Sequence, residues 1–429
     1  MNAAVYFILF LELLFALMLL KLSGCLKKPT HWVFSVLLLL LAFAARAYVF
    51  DYETLDYKNF LSKWIDYFRV NGGFRALKNS VGNYNIPYLY FLALFSMSDI
   101  GDLYLIKLLS TFFDVLLAWS AMMILSEYRE SVPARLGCFF TVLFLPTVFL
   151  NSAVWGQCDS TYTAMLLLGI WLALDDRPWL SMICAAVGFG FKLQAVFVLP
   201  VFAVLWMRGK FRLYHFAAFP AAYVVLVLPA VLIGRPFIDT LKLYSSQASS
   251  IYYPDILNYN SSSVFAIIGK ACDPKIASTL GITEAFTLMS TVLVLCLVVC
   301  INCRYGTPKG CTPRSLSDRT VLASALLFAV GIPFLLPYMH DRYFYCADII
   351  TVAAAFAVPK LAAAAPLTQF ASLLGYYAYL RLRFLMPMKY GSFALIAVLI
   401  LAGVFFGRSL HEDCRIVPQG GVVDGKNST

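Results

Sequence analysis

The chain has 429 residues, of which 61% are hydrophobic and 13% charged, and its mean hydropathy is +0.79. Soluble domains run nearer half apolar and a quarter charged, so a set of soluble domains is excluded. Nucleic-acid binding, a secreted disulfide scaffold and disorder are excluded with it. The net charge of +10 has a meaning that depends on where the charges sit.

Apolar runs of spanning or near-spanning length recur at roughly 4–24, 32–50, 103–126, 135–151, 160–174, 179–207, 213–233, 283–302, 320–337, 346–359, 365–380 and 392–407. Lipid tolerates only backbones that satisfy their own hydrogen bonds. The expectation is therefore an all-α, polytopic transmembrane helical bundle of about 11–13 spans. No linker rich in Gly, Ser or Pro divides the chain, so 1–429 reads as a single integral membrane domain. The first run resembles a signal-peptide core but lacks basic residues before it and a small-x-small cleavage site, and it reads as a retained helix. A shorter run, 86–98, crosses, re-enters or lies flat. The run 179–207 carries Lys192 and Gln194 in its middle and is either one long tilted helix or two half-spans meeting at a polar break.

Short loops dense in Lys and Arg mark the cytoplasmic side. They are Lys27-Lys28, Arg129 to Arg135, Arg208 to Arg212 and Arg304 to Arg319, with Asp175 to Arg177 and the polar tail 408–429 fitting less strongly. The segments 51–85, 152–159, 234–262 and 338–345 then face outside, provided 86–98 does not complete a crossing. In the first large external loop, 57–69 places Phe60, Leu61, Trp64, Ile65 and Phe68 on one helical face and Lys58, Lys63, Asp66 and Arg69 on the other. This is an interfacial amphipathic helix, ended by Asn71-Gly72-Gly73 and followed by a short helix around 74–79. Asp56 sits where an N-cap of that helix would be, and Asp51 precedes it in the loop.

Three further polar islands follow. Asn151 to Tyr162 contains Trp155, Gln157 and Asp159 with almost no room for a loop, so these side chains face protein or a water-filled cavity. Asp159 could alternatively cap the next helix. Lys192 and Gln194 lie in an apolar run, where a lysine is costly unless it meets an anion; a phosphate is the sharper candidate and snorkelling the plainer one. Pro337 to Tyr345 brings His340, Asp341, Arg342 and Tyr343 to the end of a helix, a fork and a switchable donor suited to phosphate or carboxylate. The region 234–262 is rich in Tyr, Ser and Asn, which suits carbohydrate contact or an ordinary interfacial loop. Asp114, deep in the run 103–126, reads as structural, paired with Lys107 or bonded to a neighbouring helix. The eleven cysteines and four histidines show no metal spacing, Cys296 and Cys300 falling within one apolar run. No GxxxxGK[ST] loop occurs.

Taken in order, an acidic residue in a large first loop with a surface helix, Trp155-Gly-Gln-Cys-Asp159, Phe191-Lys192-Leu-Gln194 and Met339-His-Asp-Arg-Tyr343 resemble the bacterial membrane mannosyltransferases related to GPI mannosyltransferase 2, a branch of the GT-C glycosyltransferases. The stretch Asp56…Trp64…Gly72-Gly73…Asn83-Tyr-Asn85-Ile-Pro87 is also similar to that family's first loop. The resemblance covers about 50–350. It implies a multi-pass enzyme of the bacterial plasma membrane, with its active site on the extracytoplasmic face. The enzyme would take a polyprenyl-phosphate sugar as donor, transfer a mannose-like hexose with inversion, and use a glycan or glycolipid as acceptor. It implies a catalytic Asp in the first loop, Asp56 ahead of Asp51, and leaves a divalent metal (Mg or Mn) possible although no ligand cluster requires one.

Transfer from a phosphate-linked sugar needs a base at the acceptor hydroxyl and positive charge at the departing phosphate. Asp56 takes the first role; Lys192, His340 and Arg342 take the second. Trp155, Gln157, Asp159, Gln194 and Tyr343 shape the sugar or acceptor pocket. The competing class is a secondary transporter or flippase of a lipid-linked or anionic solute, which would also show intramembrane charges and a broken helix. No internal repeat relates the two halves, and the surface helix has no evident transport role.

Overall fold

The computed structural model describes residues 1–249, 257–268 and 317–414. The apolar run 283–302, most of the basic segment 304–319, Tyr252, Tyr253 and the tail beyond 414 lie outside the described residues. The described chain is an all-α polytopic bundle. Six of its helices are long and apolar enough to cross a membrane, and a bent pair, 132–143 with 146–155 at 44°, would make a seventh. Shorter apolar helices complete the bundle. Its β structure, among the described residues, is a two-residue parallel pairing of β1, Asn258–Tyr259, with β2, Met339–His340.

The first helices are α1 (Ala3–Leu22), capped by the Asn2 side chain, and α2 (Pro29–Val49), which starts on a proline whose missing N–H costs nothing there. The surface segment follows as a π-helical turn, Tyr57–Leu61, continuous with α3 (Ser62–Val70), and a 3₁₀ turn, Gly73–Lys78. Leu61, Ile65 and Phe68 are buried against the bundle, while Phe60 remains exposed. Most of the apolar face expected to meet lipid thus meets protein, and Trp64 lies half-buried on Tyr84.

Next come α4 (Ile86–Phe95), α5 (Asp102–Ser126), α6 (Val132–Leu143) and α7 (Pro146–Phe149), the last running into a π-helical turn at Leu150–Trp155. α4 is too short for a full crossing by itself. Ten residues of helix span only about 15 Å, half of a ~30 Å hydrocarbon core. Its start lies beside Tyr84, which bonds Gln157, and Met97 just beyond its end meets Gly73. Both ends stay with the 51–85 segment, in keeping with the partial or compensated span that the charge parity favours.

α8 (Asp159–Leu174), α9 (Pro178–Phe191) and α10 (Pro200–Met207) resolve the long run 179–207. α9 ends at Lys192, whose backbone is extended (φ −153°, ψ 136°), and a 3₁₀ turn, Leu193–Phe197, starts the return. Lys210 bonds Asp176 and the Leu174 carbonyl at 2.8 Å each. The run therefore enters and leaves by the same end, a hairpin with Lys192 at its tip. It is not one long tilted helix.

The loops expected on one side do gather at one end, hereafter the basic end. Arg135 donates to the Ser23 carbonyl, Arg208 pairs with Asp318 at 2.6 Å, and the Tyr128 hydroxyl reaches the Asp318 carbonyl at 2.7 Å. The opposite end carries 51–85, the 151–159 turn and the loop 336–344 between the helices Asp318–Leu335 and Tyr345–Ala357.

Candidate active site

At the end opposite the basic loops, five separate pieces of chain converge. The geometry begins with the turn after α7. Phe144 and Leu145 break the helix before Pro146, and the chain then winds as a π-helical turn that stops at Gly156. Gly156 has φ 75°, a left-handed conformation that glycine adopts without steric cost. This brings Trp155 and Gln157 round to the same target.

That target is Asp56. The Trp155 indole N–H and the Gln157 side-chain amide each donate to its Oδ2 at 2.8 Å. Asp56 is not an N-cap: its backbone is already helical and its side chain makes no capping bond. Its own N–H donates to the Tyr379 hydroxyl at 3.0 Å, and the Tyr379 ring stacks on Trp155 at 3.9 Å and 8°. Tyr84 donates to the Gln157 carbonyl oxygen at 3.0 Å, which fixes the amide with its N–H₂ toward Asp56. Two N–H donors on one oxygen orient the carboxylate and leave Asp56 half-buried.

The second centre is Asp159, the first residue of α8 and 1% exposed. It does not cap α8. Its Oδ1 is bonded by the Lys192 ammonium, its Oδ2 accepts from Asn151 at 2.8 Å, and the Arg342 Nε approaches the same oxygen at 3.4 Å. Lys192 is buried with it and does not snorkel; the anion it meets in this structure is a carboxylate of the chain. The Arg342 guanidinium lies 5.2 Å from the Trp155 ring centroid, linking the two centres. Its Nε–H is buried without a hydrogen-bond partner, as is Oδ1 of neighbouring Asp341.

Burial, together with Arg342 and Lys192, lowers His340 to about 3, so it is a neutral imidazole at neutral pH. Its ring stacks on Tyr259 at 4.5 Å and 9° and lies 5.1 Å from Tyr343. It brings a neutral N–H and no charge. Burial pushes Asp341 up to about 7 against the opposing pull of Arg342, and Tyr343 up to about 12. The Gln194 side chain hydrogen-bonds the Tyr343 hydroxyl and leaves its own carbonyl oxygen without a partner.

The structure therefore brings Asp56, Trp155, Gln157, Asp159, Lys192 and Arg342 together, with His340, Tyr343 and Gln194 on the Arg342 side. Asp51 stands apart: it is 70% exposed and accepts from the Tyr104 hydroxyl at 2.6 Å. Asp114 does not pair with Lys107. It is bonded by Arg46 at 2.9 Å, and Lys107 donates instead to the carbonyls of Val49, Phe50 and Tyr52.

Tyr376 and Tyr379 come from a helix, Ala364–Arg381, that the sequence reading left out of the site. Tyr376 donor-acceptor contact with Asn151 is 2.9 Å. The helix approaches because of Gly375, where an added Cβ would sit 2.8 Å from the Asp341 carbonyl oxygen. Tyrosines spaced three apart near the end of an apolar helix were the available signal. Among the described residues no group of three or more His, Cys, Asp or Glu gathers to hold a metal ion. Asp159, the most buried acid of the site, has both oxygens engaged by the chain.

At this end the polytopic bundle thus holds a carboxylate oriented by two N–H donors beside a buried lysine and a half-buried arginine. The model of glycosyltransferase family 87 matches residues 83–337, more than half of the chain, and the protein belongs to that GT-C-type family. The matched span includes Trp155, Gln157, Asp159, Lys192 and Gln194; Asp56, His340, Arg342 and Tyr343 lie outside it. No curated protein and no solved structure matches.

Proposed function

We propose that this glycosyltransferase moves a hexose, mannose-like by the resemblance of its motifs, from a polyprenyl-phosphate donor to a glycan or glycolipid acceptor. The observation that carries this reading is the pairing of Asp56, fixed by Trp155 and Gln157, with the Lys192–Asp159–Arg342 cluster across the Trp155 ring.

In the reaction, Asp56 takes the proton of the acceptor hydroxyl. The acceptor oxygen bonds the anomeric carbon from the face opposite the phosphate as the carbon–phosphate-oxygen bond breaks, which inverts the centre. The departing phosphate is received by Lys192 and Arg342, whose unsatisfied Nε–H offers a donor ready for an oxyanion. Asp159 neutralises the two cations before the phosphate arrives, which is how they are tolerated at this depth. Trp155, Gln194, Tyr343 and the neutral His340 line the space around the sugar.

On the positive-inside pattern we read the basic end as cytoplasmic, which would put the site on the extracytoplasmic face, in keeping with a cell-envelope role at a bacterial plasma membrane. An apolar trough of about 450 Å³ between α1, α4 and α5, walled by Leu11, Phe15, Leu94 and Phe112 among others, suits a lipid-linked substrate. Membership of a glycosyltransferase family favours the enzyme over the transporter. The test is mass spectrometry of lipid retained by the purified protein, with a vesicle assay alongside. A co-purified polyprenyl phosphate and a glycosylated product support the reading; solute entering sealed vesicles with no glycosyl product overturns it.

A further inference from the structure

Three polar side chains on α5 do not enter the reaction above, yet all three are buried and reach the pieces of chain that build it. Lys107, Ser110 and Asp114 are spaced three and four apart, so they form one stripe along a single face of the helix. Each is 0–1% exposed.

Lys107 donates to the carbonyls of Val49, Phe50 and Tyr52 at 3.3, 2.9 and 2.7 Å. These carbonyls lie at and just beyond the end of α2, where the Val49 carbonyl also accepts the Tyr52 N–H, and the segment they belong to runs directly into Asp56. Ser110 donates to the Gln157 carbonyl at 2.7 Å, and its own carbonyl accepts from Ser160 at 3.1 Å. Asp114 accepts from Ser152 at 2.5 Å and from Arg46 at 3.2 and 2.9 Å. Arg46 also donates to the Leu143 carbonyl at 2.8 Å, a group freed by the break before Pro146.

We infer that this stripe is the positioning device of the active site: α5 holds the Asp56 segment through Lys107 and the Trp155–Gln157 turn through Ser110 and Asp114, and so sets their distance. The inference rests on the proposed role of Asp56. Its physical basis is the turn itself. A π-helical turn is rare and does not propagate beyond a single turn in most helices, so its register draws on outside support. Ser152 points to Asp114, Asn151 to Asp159 and Trp155 to Asp56. Fixing Ser152 fixes the direction in which the other two point. Thr54 closes the arrangement by donating to the Trp155 carbonyl at 3.2 Å. A misplacement of about 1 Å at a reacting group costs on the order of 10²-fold in rate.

The experiment uses the full-length protein in detergent, with a polyprenyl-phosphate hexose as donor, and compares Ser152→Ala and Asp114→Asn with Thr111→Val. Thr111 is equally buried on α5 and its hydroxyl has no partner. Ser152→Ala and Asp114→Asn are expected to lower kcat at least tenfold with KM for the donor within threefold. Amide hydrogen exchange should rise at least tenfold at residues 150–157 and stay unchanged in the other helices. Thr111→Val should change neither. Ser152→Ala carries the test if Asp114→Asn fails to fold. Wild-type kcat and exchange in Ser152→Ala overturn the inference, as does exchange that rises uniformly through the bundle. A wild type that transfers nothing from any polyprenyl-phosphate donor defeats the functional reading instead, and the exchange measurement still tests the stripe.

Discussion

The indole of Trp155 and the amide of Gln157 donate to the same oxygen of Asp56, each at 2.8 Å. They lie about a hundred residues downstream of it, so folding alone makes the arrangement. Its consequence is an aspartate that cannot rotate freely, in a half-buried position beside two cations.

Replacing the carboxylate removes the base. Asp56→Asn should lower transfer by about 10²–10⁴-fold, the usual worth of a general base, with the thermal unfolding midpoint close to wild type. Asp51→Asn should stay within about twofold, since that side chain is exposed and bonded to Tyr104. Full activity in Asp56→Asn together with loss in Asp51→Asn would reverse the assignment.

Each of the two donors to Asp56 can be removed singly. A hydrogen bond to a charged group is worth about 1.5–3 kcal/mol, so Gln157→Leu and Trp155→Phe should each reduce kcat by about 10- to 100-fold. Steady-state kinetics of the purified variants decide it, and an unchanged kcat in both would show that the carboxylate needs no such orientation.

These residues also show how much of the site could be read in advance. Trp155, Gln157, Asp159, Lys192 and Arg342 were legible because polar side chains in apolar surroundings are conspicuous, and each such island had to face protein or water. The bundle was legible for the same reason. Partnership was not legible. Lys192 meets Asp159 through a hairpin turn that periodicity cannot distinguish from one long helix. Arg46 finds Asp114 across 68 residues, and Lys107, the nearer candidate, donates to the carbonyls of Val49, Phe50 and Tyr52 around the end of α2. Tyr376 and Tyr379 were not legible because the close approach at Gly375 leaves no mark on hydropathy.

The buried pair of Lys192 and Asp159 should behave as a unit. Removing one partner of a buried pair costs about 3–5 kcal/mol, because the other charge is stranded. Lys192→Met should therefore destabilise strongly, and Lys192→Met with Asp159→Asn should recover most of that loss in a denaturation midpoint while remaining inactive. A double variant as unstable as the single one would mean the two do not compensate each other.

The loop 336–344 makes a pH prediction. Burial pushes the Asp341 carboxyl up to about 7 from its ordinary 3.8. Between about 4 and 7 the native state keeps a proton that the unfolded chain has released, so this group's contribution to stability falls as pH rises and levels off above 7. His340, lowered to about 3 from 6.5, acts in the opposite sense: the unfolded chain binds the extra proton between about 3 and 6.5, and stability rises with pH there. The two slopes oppose each other in the wild type. Asp341→Asn removes one of them, so its unfolding midpoint relative to wild type should climb steadily from pH 4 to 7. A constant difference across that range would contradict the burial of an ionisable Asp341.

The most direct test of the central claim is the choice of donor. Purified protein, given a labelled hexose either on polyprenyl phosphate or on a nucleoside diphosphate with membrane lipid extract as acceptor, is followed by product chromatography. Transfer from the polyprenyl phosphate alone, abolished in Asp56→Asn, is the predicted result. Transfer from the nucleotide sugar but not from the lipid-linked one would contradict it.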